Sequence, residues 1–199
     1  MKSSPDPGDT RTVILDRSIP LFATRGYAGV SMRDIARAVS TSSAALYHHF
    51  PNKQALYLAA MERAFADKAR TITETVHSEG TALQRLERFI ERFTGLIADD
   101  PDFRMLLQRE LLDGDQQRLR LLADQVFSEP FTAVSGLVSE LAPECDPHLM
   151  TISLAGLVLF HFEAAPLRQF LPGMRVEHDQ PEVIARHITR LMMRALDKA

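Results

Sequence analysis

Residues 30–56, VSMRDIARAVSTSSAALYHHFPNKQAL, read as two short helices across a tight turn, then a proline stop and a fresh helix start. Ser31 precedes an apolar-periodic run and Asp34 stands three positions later, the arrangement of a capping box. Met32, Ile35, Ala36 and Val39 recur at helical spacing and would bury one face. Ser40, Thr41, Ser42 and Ser43 interrupt that run, because their hydroxyls compete for backbone hydrogen bonds and favour turns and caps. A second short helix follows from about Ser43 to His49. Leu46 and Phe50, four apart, share a face and can anchor it to the first. Ser43 with Tyr47, and Ala44 with His48, then lie on faces free to meet another molecule. Pro51 cannot continue the helix, Asn52 can cap the next, and Lys53 lies in that next helix's first turn, where backbone N–H groups favour a phosphate.

This pattern has two readings: a helix-turn-helix unit that meets DNA, or a small all-helical packing unit with no DNA in it. ALYHHFPNKQAL (45–56), preceded by FATRGYAGVSMRDIARAV (22–39), resembles the DNA-binding segment of the TetR family of bacterial transcriptional regulators, over roughly residues 11–60. The resemblance implies an all-α chain: an N-terminal three-helix helix-turn-helix DNA-binding domain, then a larger helical ligand-binding and dimerisation domain. It implies DNA contacts from Ser31 and Arg33 at the start of the second helix. The major-groove face would be Ser43, Ala44, Tyr47 and His48, with His49 and Lys53 as clamps on the DNA backbone. The chain departs from the family pattern at Ser40, which replaces the turn glycine, at Thr41, which replaces valine, and at Ala44, which replaces a frequent glycine. Ser40 then either takes a strained positive φ or the turn reorganises. Pro20 falls inside the expected first helix, where a proline costs about 3 kcal/mol unless a kink absorbs it.

Composition fits a chain that touches DNA with one end. The 199 residues are 45% hydrophobic and 25% charged, enough for a sizeable core in one or two domains. A net charge of −3 argues against a uniformly basic nucleic-acid binder. Residues 1–57, however, hold seven Lys/Arg against four Asp/Glu, and the remainder holds sixteen against twenty-two. The three tyrosines, Tyr27, Tyr47 and Tyr57, all lie in the basic part, whereas nine of eleven phenylalanines lie in the acidic part, as a polar surface on an apolar body would require. The single cysteine, Cys145, excludes an intramolecular disulfide and any multi-cysteine zinc site. The expected organisation is a disordered arm over 1–9, a DNA-binding domain over 10–57 and a helical ligand-binding and dimerisation domain over 58–199. With no signal peptide and no apolar run of transmembrane length, a cytoplasmic protein is expected.

Beyond residue 57 the periodicity is helical throughout. One helix runs from Lys53 to about Ser78, striped by Leu58, Met61, Phe65, Ala69, Ile72 and Val76, and would join the head to the body as a lever. Thr81 opens the next, and Asp99-Asp100-Pro101 breaks it. A helix through Phe103, Leu106, Leu107 and Leu111 follows to Gly114. The segment 115–141 contains Pro130 and should kink or split. Residues 148–164 are almost wholly apolar and should be buried on most sides. A loop-rich connection over 166–181 leads to a last helix.

Two jobs compete for this body. The first is dimerisation, since one short recognition helix reads too few base pairs and two-fold dimers bind palindromic half-sites. The resemblance implies a bundle from the last two long helices. Ile152, Ala155, Leu159, Ile184, Ile188 and Leu191 are its candidates, with intrachain core as their alternative use. The second is a small, largely apolar effector. Phe89, Phe93, Phe103, Phe127, Phe131 and Phe160 could surround it, with Gln108, Arg109, Glu110, His161 and Glu163 supplying polar contacts; core packing is their alternative. No Gly-rich phosphate loop, GxSxG elbow or HExxH pair is present, and Cys145 with His148 falls in an interhelical loop, so neither enzyme, cofactor nor metal is expected. The expected partners are an operator in double-stranded DNA, a second copy of the chain and a small-molecule effector, with no membrane. The outcome is a homodimeric repressor released from a palindromic operator by its ligand. The alternative is a helix-turn-helix protein controlled by another protein, or by none.

Overall fold

Ser31, Ser42, Asn52, Thr81, Asp115 and Asp146 each start a helix by accepting a hydrogen bond from the backbone N–H three residues on. Each satisfies one of the N–H groups that a helix start leaves without a partner. In this computed structural model, which describes residues 7–196, the helices are α1 (Pro7–Arg25), α2 (Met32–Ala38), α3 (Ser43–His49), α4 (Lys53–Val76), α5 (Ala82–Asp99), α6 (Pro101–Asp113), α7 (Gln116–Leu122), α8 (Ser128–Leu141), α9 (Pro147–Glu163), α10 (Ala165–Arg168) and α11 (Pro181–Leu196). The described residues contain no strand, so the chain is all-α, and none of their helices is long and apolar enough to cross a membrane.

Residues 1–6 of the expected arm lie outside the described residues, and Pro7, Gly8 and Asp9 already belong to α1. That helix continues through Pro20, which lies on its exposed side, and the Thr24 hydroxyl donates to the Pro20 carbonyl at 2.8 Å. Segment 115–141 does split, but one turn before Pro130. A π-helical turn, Ala123–Phe127, separates α7 from α8. Pro130 cannot donate to the carbonyl four residues back and its ring crowds it, which favours a wider turn there.

The chain forms two compact units that do not follow chain order. Among the described residues, one comprises residues 7–67 together with 102–126; the other comprises 68–101 and 127–196. The expected boundary at residue 57 falls inside α4, whose start belongs to the first unit and whose end belongs to the second. In the first unit Ile14, Phe22, Ile35, Leu46, Phe50, Leu56 and Met61 are buried. The rings of Phe22 and Tyr27 meet Tyr57 edge-on at 4.8 and 5.0 Å, and Phe65 packs on Phe103 at 4.4 Å. Burying side chains of this size contributes about 1.5–3 kcal/mol each.

In the second unit α11 packs chiefly on α5, and α9 packs on α8 and α5. Leu86, Ile90 and Ile97 of α5 are buried, as are Ile184, Ile188 and Met192 of α11. Helix α9 behaves differently. Its sequence is apolar on every side, yet its buried residues are Thr151, Leu154 and Val158, and Leu149, Ile152 and Phe160 are exposed. Exposed apolar side chains continue past it at Leu167, Phe170, Leu171 and Val176.

Candidate nucleic-acid interface

The opening motif folds as a helix-turn-helix held by three local devices. At the start of α2, the Ser31 backbone N–H donates to the Asp34 carboxylate at 2.9 Å and the Asp34 N–H donates to the Ser31 hydroxyl oxygen at 3.2 Å. The Ser31 hydroxyl also donates to Asp34 at 2.6 Å, and Arg25 approaches the same carboxylate at 3.4 Å. The Ser31 side chain and backbone hydrogen bonds, helped by Arg25 and Arg37, hold the Asp34 carboxyl below its ordinary range. The Ser31 hydroxyl is therefore already engaged by the cap.

At the other end of α2 the Ser40 N–H donates to the Arg37 carbonyl at 3.2 Å and the Thr41 N–H to the Ala36 carbonyl at 2.9 Å. This paired closure is a Schellman motif, which puts the residue after the cap in the left-handed region. Ser40 occupies that place with φ of 54°. Of the two outcomes open from sequence, the strained conformation is the one adopted.

Third, α3 is anchored and then stopped. Leu46 is 0% exposed and Phe50 is buried, with the Arg11 guanidinium 5.0 Å above the Phe50 ring. The opposite side of this seven-residue helix points outward: Ala44 and His48 are exposed, Tyr47 is 51% exposed, and Ser43 and His49 are half-buried. The rings of His48 and His49 meet edge-on at 5.7 Å. Arg33 is exposed on α2. The first unit thus presents guanidinium, phenol, imidazole and small side chains on neighbouring helix faces, a set able to hydrogen-bond base edges and phosphates.

Lys53, expected as a clamp on the DNA backbone, is held from within the unit. Its ammonium donates to the Tyr27 carbonyl at 2.9 Å and the Val30 carbonyl at 3.1 Å, and sits 4.1 Å from the Tyr27 ring centre. Burial, with Arg118 nearby, lowers its pKa. Two of its three N–H donors close the α1–α2 connection onto α4, so the side chain positions the motif from within.

Beneath it lies a network built around Glu110, one of the residues offered from sequence as a polar contact for a ligand. Glu110 of α6 is 1% exposed; it accepts from the Tyr57 hydroxyl at 2.6 Å and from Arg118 Nε at 2.8 Å. Arg118 also pairs with Asp113 and Asp115 at 3.3 and 3.2 Å, and its guanidinium stands 4.5 Å from the Tyr27 ring centre. Burial, together with Glu110, pushes the Tyr57 phenol far above its ordinary pKa, so it stays a donor. Arg109 caps α1 instead, donating to the Ala23 and Thr24 carbonyls at 2.6 Å each. Arg109 and Glu110 are thus structural members of the DNA-facing unit. Glu110 sits at the seventh place after Phe103 on the buried stripe of α6, and a carboxylate in that register was the available signal. Arg118 gave none.

The remaining pocket candidates are distributed over both units. Phe103 lies in the first unit against Phe65, and Gln108 is exposed there. In the second unit Phe89 stacks on Phe93 at 5.6 Å and Phe131 packs on His148 at 5.1 Å. Phe127, at the end of the π-helical turn, is half-buried, Glu163 is exposed, and Phe160 is 68% exposed. His161 meets His187 edge-on at 5.9 Å; burial, then Arg168 and His187, lowers its pKa. Cys145 lies against Glu144 at 3.5 Å, and desolvation with that carboxylate raises its thiol pKa, the reverse of an activated nucleophile. Among the interface candidates Ile152 and Leu191 are exposed, Ala155 and Leu159 half-buried, and Ile184 and Ile188 buried within the chain. The last two lie in the stripe that α11 turns inward, while Leu191 lies at its edge.

Comparison with known proteins agrees with this geometry. Residues 14–60 match the family described as bacterial regulatory proteins, tetR family, and residues 82–196, more than half the chain, match the C-terminal domain of the HTH-type transcriptional dual regulator CecR. The chain is 28% identical over 132 residues to the nucleoid occlusion factor SlmA of Marinomonas sp. (strain MWYL1), covering 66% of this chain and 67% of that one. It is 30% identical over 80 residues to IcaR of Staphylococcus epidermidis, a negative transcriptional regulator of the biofilm operon icaADBC, covering 40% of this chain and 43% of that one. Among solved structures, AibR in complex with isovaleryl coenzyme A and operator DNA superposes with a TM-score of 0.71 at 22% identity, over 92% of this chain and 97% of that one.

Proposed function

The chain belongs to the TetR family of bacterial transcriptional regulators, and we propose that it is a homodimeric, ligand-released repressor acting on a palindromic operator in the cytoplasm. The observation that carries this reading is α3: a capped helix with Leu46 fully buried and Ala44, Tyr47 and His48 turned outward. In this reading Arg33, Ser43, Ala44, Tyr47 and His48 meet the major groove, His49 meets the DNA backbone, and Ser31 and Lys53 hold the motif in shape. Arg33 supplies the strongest bidentate donor, so readout leans on weak contacts doubled by two-fold symmetry and on DNA shape.

The exposed apolar surface of α9 and the segment after it supports the dimer. Leu149, Ile152, Phe160 and Phe170 are of a size and spacing that a second copy would bury. IcaR is a negative transcriptional regulator, and AibR was solved with both an acyl-coenzyme A and operator DNA, which supports an effector that acts on operator affinity. By linkage, effector and operator weaken each other's binding by the same factor. Tyr47→Ala tests the reading: the variant should remain folded and dimeric while losing operator affinity by roughly tenfold or more. Unchanged affinity would remove α3 from the interface.

A further inference from the structure

The second unit carries an open groove of about 640 Å³ between the segment after α9 and one side of α11. Residues 58–199 are acidic as a whole, yet four of their arginines, Arg168, Arg175, Arg186 and Arg190, line this groove. Three histidines, His161, His178 and His187, stand among them, and the lining holds one carboxylate, Glu177. Arg168 pairs with Asp179 at 2.5 Å and Arg175 with Glu177 at 2.7 Å. Neither Arg186 nor Arg190 forms an ion pair among the described residues, although Glu87, Glu91 and Glu182 line the neighbouring groove that these arginines share.

The polar atoms are set up to donate. The Arg175 backbone N–H donates to His178 Nδ1 at 3.2 Å, so the neutral His178 ring carries its proton on Nε2. An Arg168 terminal nitrogen approaches His161 Nδ1 at 3.5 Å, with the same consequence for that ring. Arg168 Nε is buried and has no acceptor. Two of the four guanidinium groups are held by carboxylates, whereas Arg186 and Arg190 make no ion pair among the described residues, with imidazole N–H donors beside them. A single carboxylate would occupy one guanidinium fork; a diphosphate spans several and reaches both arginines that make no ion pair. A groove of this volume lies within the range that encloses small ligands.

We infer that this groove binds the diphosphate or clustered phosphate groups of a soluble small molecule, with Arg186 and Arg190 as its principal charge partners and Arg168, Arg175 and His178 as further donors. The site lies outside the DNA-facing unit and does not depend on the repressor reading.

Titration calorimetry of the full chain with inorganic pyrophosphate, in magnesium-free buffer and without DNA, tests it. Pyrophosphate should bind, acetate at equal concentration should not displace it, and the Arg186→Gln/Arg190→Gln double variant should bind roughly tenfold or more weakly, the loss expected when charge-assisted hydrogen bonds are removed. Arg175→Gln, at a well-exposed position, provides a second reading if the double variant fails to fold, and should weaken binding in the same direction. Absence of pyrophosphate binding, equal competition by acetate, or unchanged affinity in the variants overturns the proposal. A double variant that turns monomeric, when the parent dimer shows no pyrophosphate binding, would overturn it in favour of an interface between copies.

Discussion

The first unit takes charge inside, where Glu110 and Arg118 pair beneath Tyr57, while the second leaves apolar groups outside, with Phe160, Phe170 and Val176 among them. The contrast reflects two ways of specifying a surface. A buried ion pair adds little net stability against an apolar substitute, but losing one member strands the other in a poorly solvated place. It therefore fixes one arrangement of α4, α6 and α7 under the DNA-facing helices. An exposed apolar face specifies nothing alone and gains its energy when another surface covers it.

The largest expected effect breaks the buried half of this contrast. Glu110→Ala should destabilise the protein by about 3–5 kcal/mol in urea denaturation, because Arg118 and the Tyr57 hydroxyl lose their shared acceptor. A loss below about 1 kcal/mol would mean that water reaches the site. Next comes the exposed half. Ile152→Asp should leave the fold intact yet weaken the proposed dimer by about 1.5–3 kcal/mol per protomer, read by light scattering across a dilution series. An unchanged dimer would place the interface elsewhere.

Ser40→Gly has the opposite sign. Relieving a left-handed serine should raise stability by up to about 1 kcal/mol, the gain being reduced by glycine's greater freedom in the unfolded chain. No gain would show that the Schellman turn holds serine without cost.

The smallest effect is pH-dependent and belongs to the second unit. Burial, Arg168 and His187 lower the folded pKa of His161, so above the ordinary value of about 6.5 the ring is neutral in both states and costs nothing. As pH falls below that value the unfolded chain takes up the proton first, and stability declines until the folded pKa is passed. His161→Gln should flatten the fall in melting temperature between about pH 6.5 and 5; a parallel curve would assign the acid sensitivity to other groups.

The parts legible in the sequence were those set by neighbours in the chain. Ser31 with Asp34, Leu46 with Phe50, and Asn52 ahead of α4 are relations of three or four residues, fixed by helix geometry. Lys53 shows where that logic stopped. A lysine in a helix's first turn suits a phosphate, but its ammonium reaches carbonyls 23 and 26 residues back, and no local pattern encodes that path. The aromatic residues show a related limit. Phe103 and Phe160 share apolar character with Phe89, but spacing along separate helices does not say which unit a ring joins. The apolar run of α9 promised burial on most sides; one chain supplies neighbours for only part of it.

A final consequence concerns how such proteins can be recombined. The residues that complete the DNA-facing unit come from two stretches separated by α5. A graft cut in α4 just past Tyr57 would carry that tyrosine without Glu110, and α1 without the Arg109 side chain that closes its carbonyl end. The exchangeable module is therefore a split one, and a transplanted reading head would need residues 102–126 transplanted with it.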